Sequence, residues 1–242
     1  VTDIHLLLSV QLVAITTTKT GTSFFSKSEI KSVEDLKGKT IATGRPGAFL
    51  DATVRYVLRS KFGLIPDRDV KLMPSGEPVL SIQALEGGLV DAAAMSMPFV
   101  FFARKSGLRE IANFDQLGIE YPYTSVTTMR QTLSKNPELV EKLLKCVIEG
   151  IYLFKTNKPK AIAVLKRYQK GASDEIIEQT YQYTRGVLDE TPHASVQVVK
   201  VALEMLSAQY PQAKQTDASL IVDDSFVNRI DQSGFIRALY KK

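Results

Sequence analysis

The sequence predicts an α/β protein in which strands and helices alternate first and helices dominate afterwards. Between residues 33 and 112, short apolar runs alternate with amphipathic segments, and Gly and Pro mark their ends. This alternation is typical of βαβ units with a largely parallel sheet. Beyond residue 124 the apolar spacing is almost entirely helical. At 242 residues, the chain can form one large domain or two small ones.

Elements of the alternating region follow from local patterns. Apolar residues at Leu50, Val54 and Val57 predict a helix over 48–62, which Gly63 ends. A second helix begins at Pro78 and a third at Pro98, because proline suits the first helical turn. Strands are predicted over 12–18, 40–43, 70–73, 91–96 and 108–112.

The second half begins with an extended segment over 124–130 and continues as helices. Asn136 and Pro137 predict a cap and first turn. Further helices are expected at Pro159, after Ser173 and over 194–208, with two short ones separated by Gly234. Helical spacing places Cys146 near the apolar face of the first of these helices, which predicts a small buried hydrophobe.

Composition excludes several functional classes. The net charge is +5 with a pI near 9.1, but no basic run is interleaved with aromatics, so nucleic-acid binding has little support. One cysteine allows no internal disulfide, and His5 and His193 lie in no ligand-spaced motif. No segment approaches the roughly 20 apolar residues that span a bilayer. The apolar start lacks a charged n-region and a cleavage site, so it is not predicted to be a signal peptide.

The segment Gly44-Arg45-Pro46-Gly47-Ala48 joins a predicted strand to a predicted helix. Free backbone N–H groups and the helix dipole at such a junction favour an anion, and Arg45 adds positive charge. The glycines allow close approach of the backbone. The alternative is an ordinary tight loop, since isolated glycine turns are common. Neither a P-loop nor a G-x-G-x-x-G dinucleotide motif is present.

Two further strand ends are expected at the same sheet edge. One leads into Ser75, Gly76 and Glu77, and the other into Ser96, Met97 and Pro98. Convergence of three strand ends predicts a binding rim. Glu77 has a structural alternative as a helix cap, and Met97 and Phe99 as core residues. No Ser, His or carboxylate set at this rim suggests catalysis.

The chain resembles the solute-binding proteins of ABC transporters for nitrate, sulfonate and taurine, also described as SsuA/ThiY-like or NMT1/THI5-like. The resemblance is carried by IKSVEDLKGKTIAT, the turn Gly44-Arg45-Pro46-Gly47, GLIPDRDVKLM, ALEGGLVDAAAMSMP and ARKSGLREIA. NPELVEKLLKCVIEGIYLFKTNKPKAIAVL and VDDSFVNRI resemble the C-terminal helices of that family. The match runs from about Val13 to the end.

This resemblance implies a type II periplasmic-binding-protein fold, with two α/β lobes joined by two extended crossovers near 22–31 and 123–130. Lobe 1 would comprise 1–31 and 123–242, and lobe 2 would comprise 32–122. A solute would be gripped between the lobes, with hinge closure. The implied ligand contacts are Thr17, Thr18, Gly44, Arg45, Gly47, Ala48, Phe49, Ser75, Glu77, Met97 and Pro98.

The chain departs from the family pattern in its short first lobe. Most of the first-lobe sheet has no counterpart here, so we expect a fragment of a longer chain, a lobe completed by another chain, or a reduced lobe. Exposed sheet edge and apolar surface would favour self-association, so an oligomer or strand exchange is predicted.

The resemblance implies an ABC-importer component that captures a small, anionic organic solute or a nitrate- or sulfonate-like ligand. It also implies a membrane permease as partner and a periplasmic or lipid-anchored location. No cofactor and no enzymatic activity are expected. Two alternatives stay open: an enzyme of the thiamin-pyrimidine type, whose relatives carry a Cys-rich motif and an active-site histidine, and a ligand-sensing domain.

Overall fold

The protein is described by a computed structural model over residues 9–241. His5 and most of the apolar start lie outside the described residues. The described residues form seven strands: β1 Val10–Thr17, β2 Thr22–Ser26, β3 Thr40–Thr43, β4 Lys71–Pro74, β5 Ala92–Ser96, β6 Arg109–Asn113 and β7 Thr124–Met129. The α-helices are α1 Phe49–Phe62, α2 Pro78–Glu86, α3 Phe99–Lys105, α4 Arg130–Lys135, α5 Pro137–Thr156, α6 Lys158–Tyr168, α7 Asp174–Val187, α8 Val196–Leu206, α9 Ser225–Gln232 and α10 Phe235–Tyr240.

The chain divides into two compact units. Unit 2 consists of Thr20–Glu120 together with the short segment Met205–Tyr210. Unit 1 holds the described residues up to Lys19, Tyr121–Glu204 and the described residues from Pro211 onward. The predicted lobe boundaries, 1–31 with 123–242 and 32–122, remain a proposal.

Unit 2 contains a five-stranded sheet in the order β4-β3-β5-β2-β6. Strands β3, β4 and β5 are parallel, whereas β2 is antiparallel to both of its neighbours. Strand β6 therefore runs in the same direction as β5, and the predicted largely parallel sheet is found with one reversed strand. Phe25, Ala42, Ala93, Met95 and Val100 form part of its buried core.

Local signals in unit 2 act as expected. Gly63 ends α1 in the left-handed conformation with φ 65°, which glycine adopts without steric cost. Pro78 begins α2, and Gly87 follows its last residue. The segment predicted as the first crossover is different: Thr22–Ser26 is fully buried as β2, paired to β5 and β6. Residues 22–26 of the predicted crossover are therefore a strand of the sheet, and the position of the crossover remains a prediction.

Unit 1 contains a two-stranded antiparallel sheet of β1 and β7. The other edge of β1 is bonded to C-terminal segments, with Leu12 N–H donating to Ile221 O and Ile15 N–H to Pro192 O. Helices α5, α9 and α10 pack on this sheet through a buried cluster that comprises Val13, Ala14, Val140, Leu144, Ile148, Phe226, Val227, Ile230 and Ile236. Ser173 caps α7 as predicted, since its side chain accepts from Ile176 N–H.

Two predictions on α5 are corrected. Cys146 is exposed and not buried, because α5 turns Val140, Leu144 and Ile148 toward the core and leaves Cys146 on another face. Asn136 precedes the helix as predicted, but its side chain makes no capping hydrogen bond.

Candidate functional site

The carboxyl ends of three parallel strands form one edge of the unit 2 sheet. Thr43 of β3 pairs with Pro74 of β4, and β5 runs alongside β3 and ends at Ser96. Because the strands are parallel, the turns 44–48, 75–77 and 97–98 leave the sheet at this edge. The structure therefore brings together nine of the predicted contacts, namely Gly44, Arg45, Gly47, Ala48, Phe49, Ser75, Glu77, Met97 and Pro98.

Residues 44–48, named here the α1 turn, approach the first turn of α1 closely. Gly47 has φ +80°, a conformation that suits glycine. A Cβ atom on Gly44 would lie 3.1 Å from Leu50 Cβ, so a larger residue there would require the helix to shift. Ala48 N–H donates to Arg45 O over 3.0 Å, which closes the turn. Steric limits therefore favour glycine at positions 44 and 47. The local sequence alone did not show this.

Three hydrogen-bond donor groups at the α1 turn and in the first turn of α1 have no acceptor within the described residues. Arg45 is exposed, and its guanidinium makes no hydrogen bond or ion pair there. The N–H groups of Leu50 and Asp51, in the first turn of α1, also find no acceptor in the described part of the chain. Helix N-termini with free N–H groups favour anions, and a nearby guanidinium strengthens that preference.

The buried carboxylate of Asp51 stabilises the α1 turn and is called the brace below. Asp51 has a side chain only 1% exposed, and it accepts hydrogen bonds from Gly47 N–H over 3.1 Å and from Arg55 Nε over 3.0 Å. Burial lowers the pKa of Arg55, but hydrogen bonds to Asp67 and Asp51 outweigh burial, so this pKa lies above its ordinary value. Arg55 thus stays charged and pairs with Asp51, which offsets part of the negative charge of this carboxylate behind the turn.

Sequence reasoning missed two residues at the α1 turn, Gln209 and Tyr210. Both belong to Met205–Tyr210, the short segment that packs in unit 2. Gln209 Nε2 donates to Asp51 Oδ2 over 3.1 Å, across 158 positions of sequence. Tyr210 Oη lies 3.4 Å from where a Cβ on Gly47 would be. No local pattern marks these residues, because only the fold brings their segment to α1.

The other two turns use their polar groups partly for structure. Ser75 Oγ lies 2.5 Å from Ser81 Oγ and donates to Thr43 O over 3.1 Å. Ser96 Oγ is 2.9 Å from Thr22 Oγ1. Glu77 is the N-cap residue of α2, which agrees with the structural role considered for it, but its exposed side chain makes no capping hydrogen bond.

Apolar groups flank these polar ones. Met97 and Phe99 are half-buried and pack against the unit 2 core, which agrees with the alternative of a core role for both. Val79 and Leu80, at the start of α2, are each 50% exposed. The edge therefore offers apolar surface beside its donors.

Thr17 and Thr18, the remaining predicted contacts, lie in unit 1 at the end of β1. Thr17 Oγ1 accepts from Lys19 N–H, and Thr18 O accepts from Tyr121 N–H. These bonds shape the turn that follows β1. The role of both threonines in ligand binding stays a prediction.

Residues 9–241 contain neither a metal-binding cluster nor a membrane-spanning helix. No group of three or more His, Cys, Asp or Glu side chains there could hold a metal ion. No helix among those residues has both the length and the apolar character to cross a membrane.

Comparison with known proteins identifies the family. The family model described as NMT1/THI5 like matches residues 8–162. No curated protein matches the sequence. The family prediction is confirmed by this match, which covers well over half of the chain.

Solved structures share the fold. A putative periplasmic sulfonate-binding protein SsuA of a sulfonate ABC transporter from Methylobacillus flagellatus KT is 18% identical with a TM-score of 0.72, over 97% of this chain and 74% of that one. The periplasmic nitrate-binding protein NrtA from Synechocystis PCC 6803 is 13% identical with a TM-score of 0.65, over 93% and 67%. The desulfurization enzyme DSZB is 16% identical with a TM-score of 0.69, over 93% and 80%. The type II periplasmic-binding-protein fold is thereby confirmed.

Proposed function

Because the chain belongs to the NMT1/THI5-like family, we propose that it is the solute-binding component of an ABC importer. The solute is a small organic anion or a nitrate- or sulfonate-like ligand. One observation carries this proposal: the α1 turn presents the Arg45 guanidinium and free N–H groups of α1 with no acceptor in the described residues. A membrane permease as partner and a periplasmic or lipid-anchored location follow from the family and are part of the proposal.

Neighbouring donors without acceptors in the described residues favour an oxyanion over a cation or a neutral apolar molecule. A guanidinium matches the geometry of carboxylate and sulfonate oxygens, and hydrogen bonds to charged groups are stronger than neutral ones. The flanking Met97, Phe99, Val79 and Leu80 supply apolar surface. An organic anion with a short apolar portion satisfies both features of the edge.

A thermal-shift screen tests the function. The purified chain is heated with nitrate, taurine, alkanesulfonates, small carboxylates and thiamin pyrimidines. A ligand at 100 times its dissociation constant should stabilise the protein by about 2.7 kcal/mol, which raises the melting temperature measurably. No shift with any anion would contradict the proposal.

Arg45→Ala should weaken an anion found in that screen by about 1.5–3 kcal/mol, because a charge-assisted hydrogen bond is lost. Isothermal titration calorimetry measures the change. Arg59→Ala is the matched control, since Arg59 is also exposed but lies in the last turn of α1. Equal affinities for the wild type and Arg45→Ala would remove Arg45 from the site.

An enzyme is the second candidate, because the desulfurization enzyme DSZB shares the fold. The two candidates differ in what happens to a bound ligand. A solute-binding protein releases its ligand unchanged, whereas an enzyme converts it. NMR spectra of each stabilising compound after long incubation with the protein distinguish them, and a new product would favour the enzyme.

Self-association through unit 1 is also part of the proposal, and the outer edge of β7 supports it. Within the described residues β7 pairs only with β1. The edge strands of unit 2 carry protective residues, Lys71 and Pro74 in β4 and Arg109 and Glu110 in β6, whereas β7 reads TSVTTM with no charge or proline. Such an unprotected edge favours pairing with a second strand, here β7 of a second copy.

Light scattering after size exclusion is expected to show a dimer that dissociates on dilution. Thr127→Lys, at an exposed position of β7, should shift the protein toward monomer, because a lysine on an edge strand disfavours pairing with a further strand. Gln116→Lys, at an exposed position of unit 2, is the control and should leave the dimer intact. A wild-type monomer at every concentration would refute self-association.

A further inference from the structure

We propose that Tyr210 contacts the solute, with its phenol hydroxyl donating a hydrogen bond at the α1 turn, and that Gln209 is the positioning residue that holds it there. This inference rests on the proposed function. It adds a contact from Met205–Tyr210, which lies far along the chain from the strand ends that the sequence analysis considered.

The Met205–Tyr210 segment is held at the α1 turn by defined bonds. Gln209 N–H and Tyr210 N–H both donate to Leu206 O, over 3.0 and 2.9 Å, which fixes the backbone of the segment. The Gln209 side chain then ties the segment to α1 through its bond to Asp51. Tyr210 is therefore placed by its neighbours and does not depend on a bond of its own hydroxyl.

The orientation of the Gln209 amide follows from its partner. Asp51 bonds to Arg55 and Gly47 as an ionised carboxylate, which accepts hydrogen bonds only, so the NH₂ end of the amide must face it. The other end, Oε1, is buried without a hydrogen-bond partner within residues 9–241. The Gln209 side chain thus bonds to Asp51 while its Oε1 stays unpaired within the described residues. We take its role to be the anchoring of the Met205–Tyr210 segment.

Unlike the buried Gln209 Oε1, the Tyr210 hydroxyl is a polar group, unpaired among the described residues, that can donate a hydrogen bond. It lies against Gly47 and makes no hydrogen bond within the described part of the chain. Its oxygen is not a buried atom without a partner, so a ligand can reach it. Gly47 has no side chain to cover it, and a Cβ there would approach the hydroxyl to 3.4 Å. A phenol proton, the Arg45 guanidinium and the free N–H groups of α1 thus all belong to the immediate surroundings of the α1 turn, and each is a donor suited to an oxyanion.

Calorimetry with ethanesulfonate and with nitrate tests the inference. Tyr210→Phe removes only the hydroxyl, and we expect about tenfold weaker binding of whichever probe the wild type binds, with an unchanged melting temperature of the free protein. Tyr168→Phe is the matched control, because Tyr168 is 79% exposed on α6, and it should bind like the wild type. Equal affinities for wild type and Tyr210→Phe would overturn the inference and leave the proposed function standing.

A double-mutant cycle tests the positioning role of Gln209. Gln209→Ala should weaken binding in the wild-type background but have little further effect in Tyr210→Phe, since both changes remove the same contact. Additive losses would refute the positioning role. If the wild type binds neither ethanesulfonate nor nitrate nor any other anion of the screen, the proposed function fails and the inference fails with it.

Discussion

Leu144→Ala is expected to lower the free energy of unfolding by about 2–5 kcal/mol, the range for a buried leucine truncated to alanine. Leu144 is fully buried in α5 and packs in the cluster that joins α5 to β1. Removal of its side chain leaves a cavity in contact with neighbours such as Val13 and Ile148. Urea denaturation followed by circular dichroism measures the loss.

Leu143→Ala is the matched control for this prediction. Leu143 is the preceding residue of the same helix and is 50% exposed, so its truncation should change stability by no more than about 0.5 kcal/mol. Both variants make the same change in helix propensity, which therefore cancels in the comparison. Similar losses for the two would contradict the assignment of Leu144 to the core and of Leu143 to the exposed face of α5.

Asp51→Asn is expected to destabilise the protein by about 3 kcal/mol, because three donors converge on a buried carboxylate. Gly47 N–H, Arg55 Nε and Gln209 Nε2 all donate to Oδ2, and Arg55 Nε also donates to Oδ1. An amide removes the negative charge that these donors share and places an NH₂ group, which is a donor, at one of the two accepting positions. The α1 turn should loosen as well. Anion affinity should therefore fall together with stability, which calorimetry and thermal melting would report side by side.

Asp67→Asn is the control, since Asp67 binds the same Arg55 from a side chain that is 58% exposed. Exposed ion pairs contribute only about 0–1 kcal/mol, so this variant should stay close to the wild type. Asparagine also tolerates the left-handed backbone of Asp67, which has φ 64°. If Asp67→Asn cost as much as Asp51→Asn, the stabilisation would come from Arg55 and its burial and not from the brace behind the turn.

The elements of the fold were largely predictable from local signals. Strand β3 is observed over the predicted residues 40–43, and Gly63, Pro78 and Ser173 end or begin helices as expected. These signals act within a few residues, through backbone conformation and capping. They can therefore be recognised from the sequence without knowledge of the tertiary structure. The short helix α4 was missed, since it has no buried residue to give it an apolar pattern.

The predictions of burial and pairing failed where an apolar pattern fits both a buried and an exposed position. Cys146, Leu143 and Leu144 all fit an apolar helix surface, yet only Leu144 faces the core. Strand β2 carries no alternation of polar and apolar residues, because sheet neighbours and helices bury it completely. Periodicity shows that a face is apolar, but burial depends on what the rest of the chain places against it.

The sequence by itself determined the α/β class, most element boundaries, the family and the three turns that follow parallel strands. Tertiary structure alone decided that Thr22–Ser26 lies within a sheet, that Asp51 is a buried brace, and that Gln209 and Tyr210 stand beside Gly47. The difference has one physical reason. Turns and caps depend on bonds between near neighbours in sequence, whereas the brace joins residues 158 positions apart, and only the packing of the folded chain brings them together.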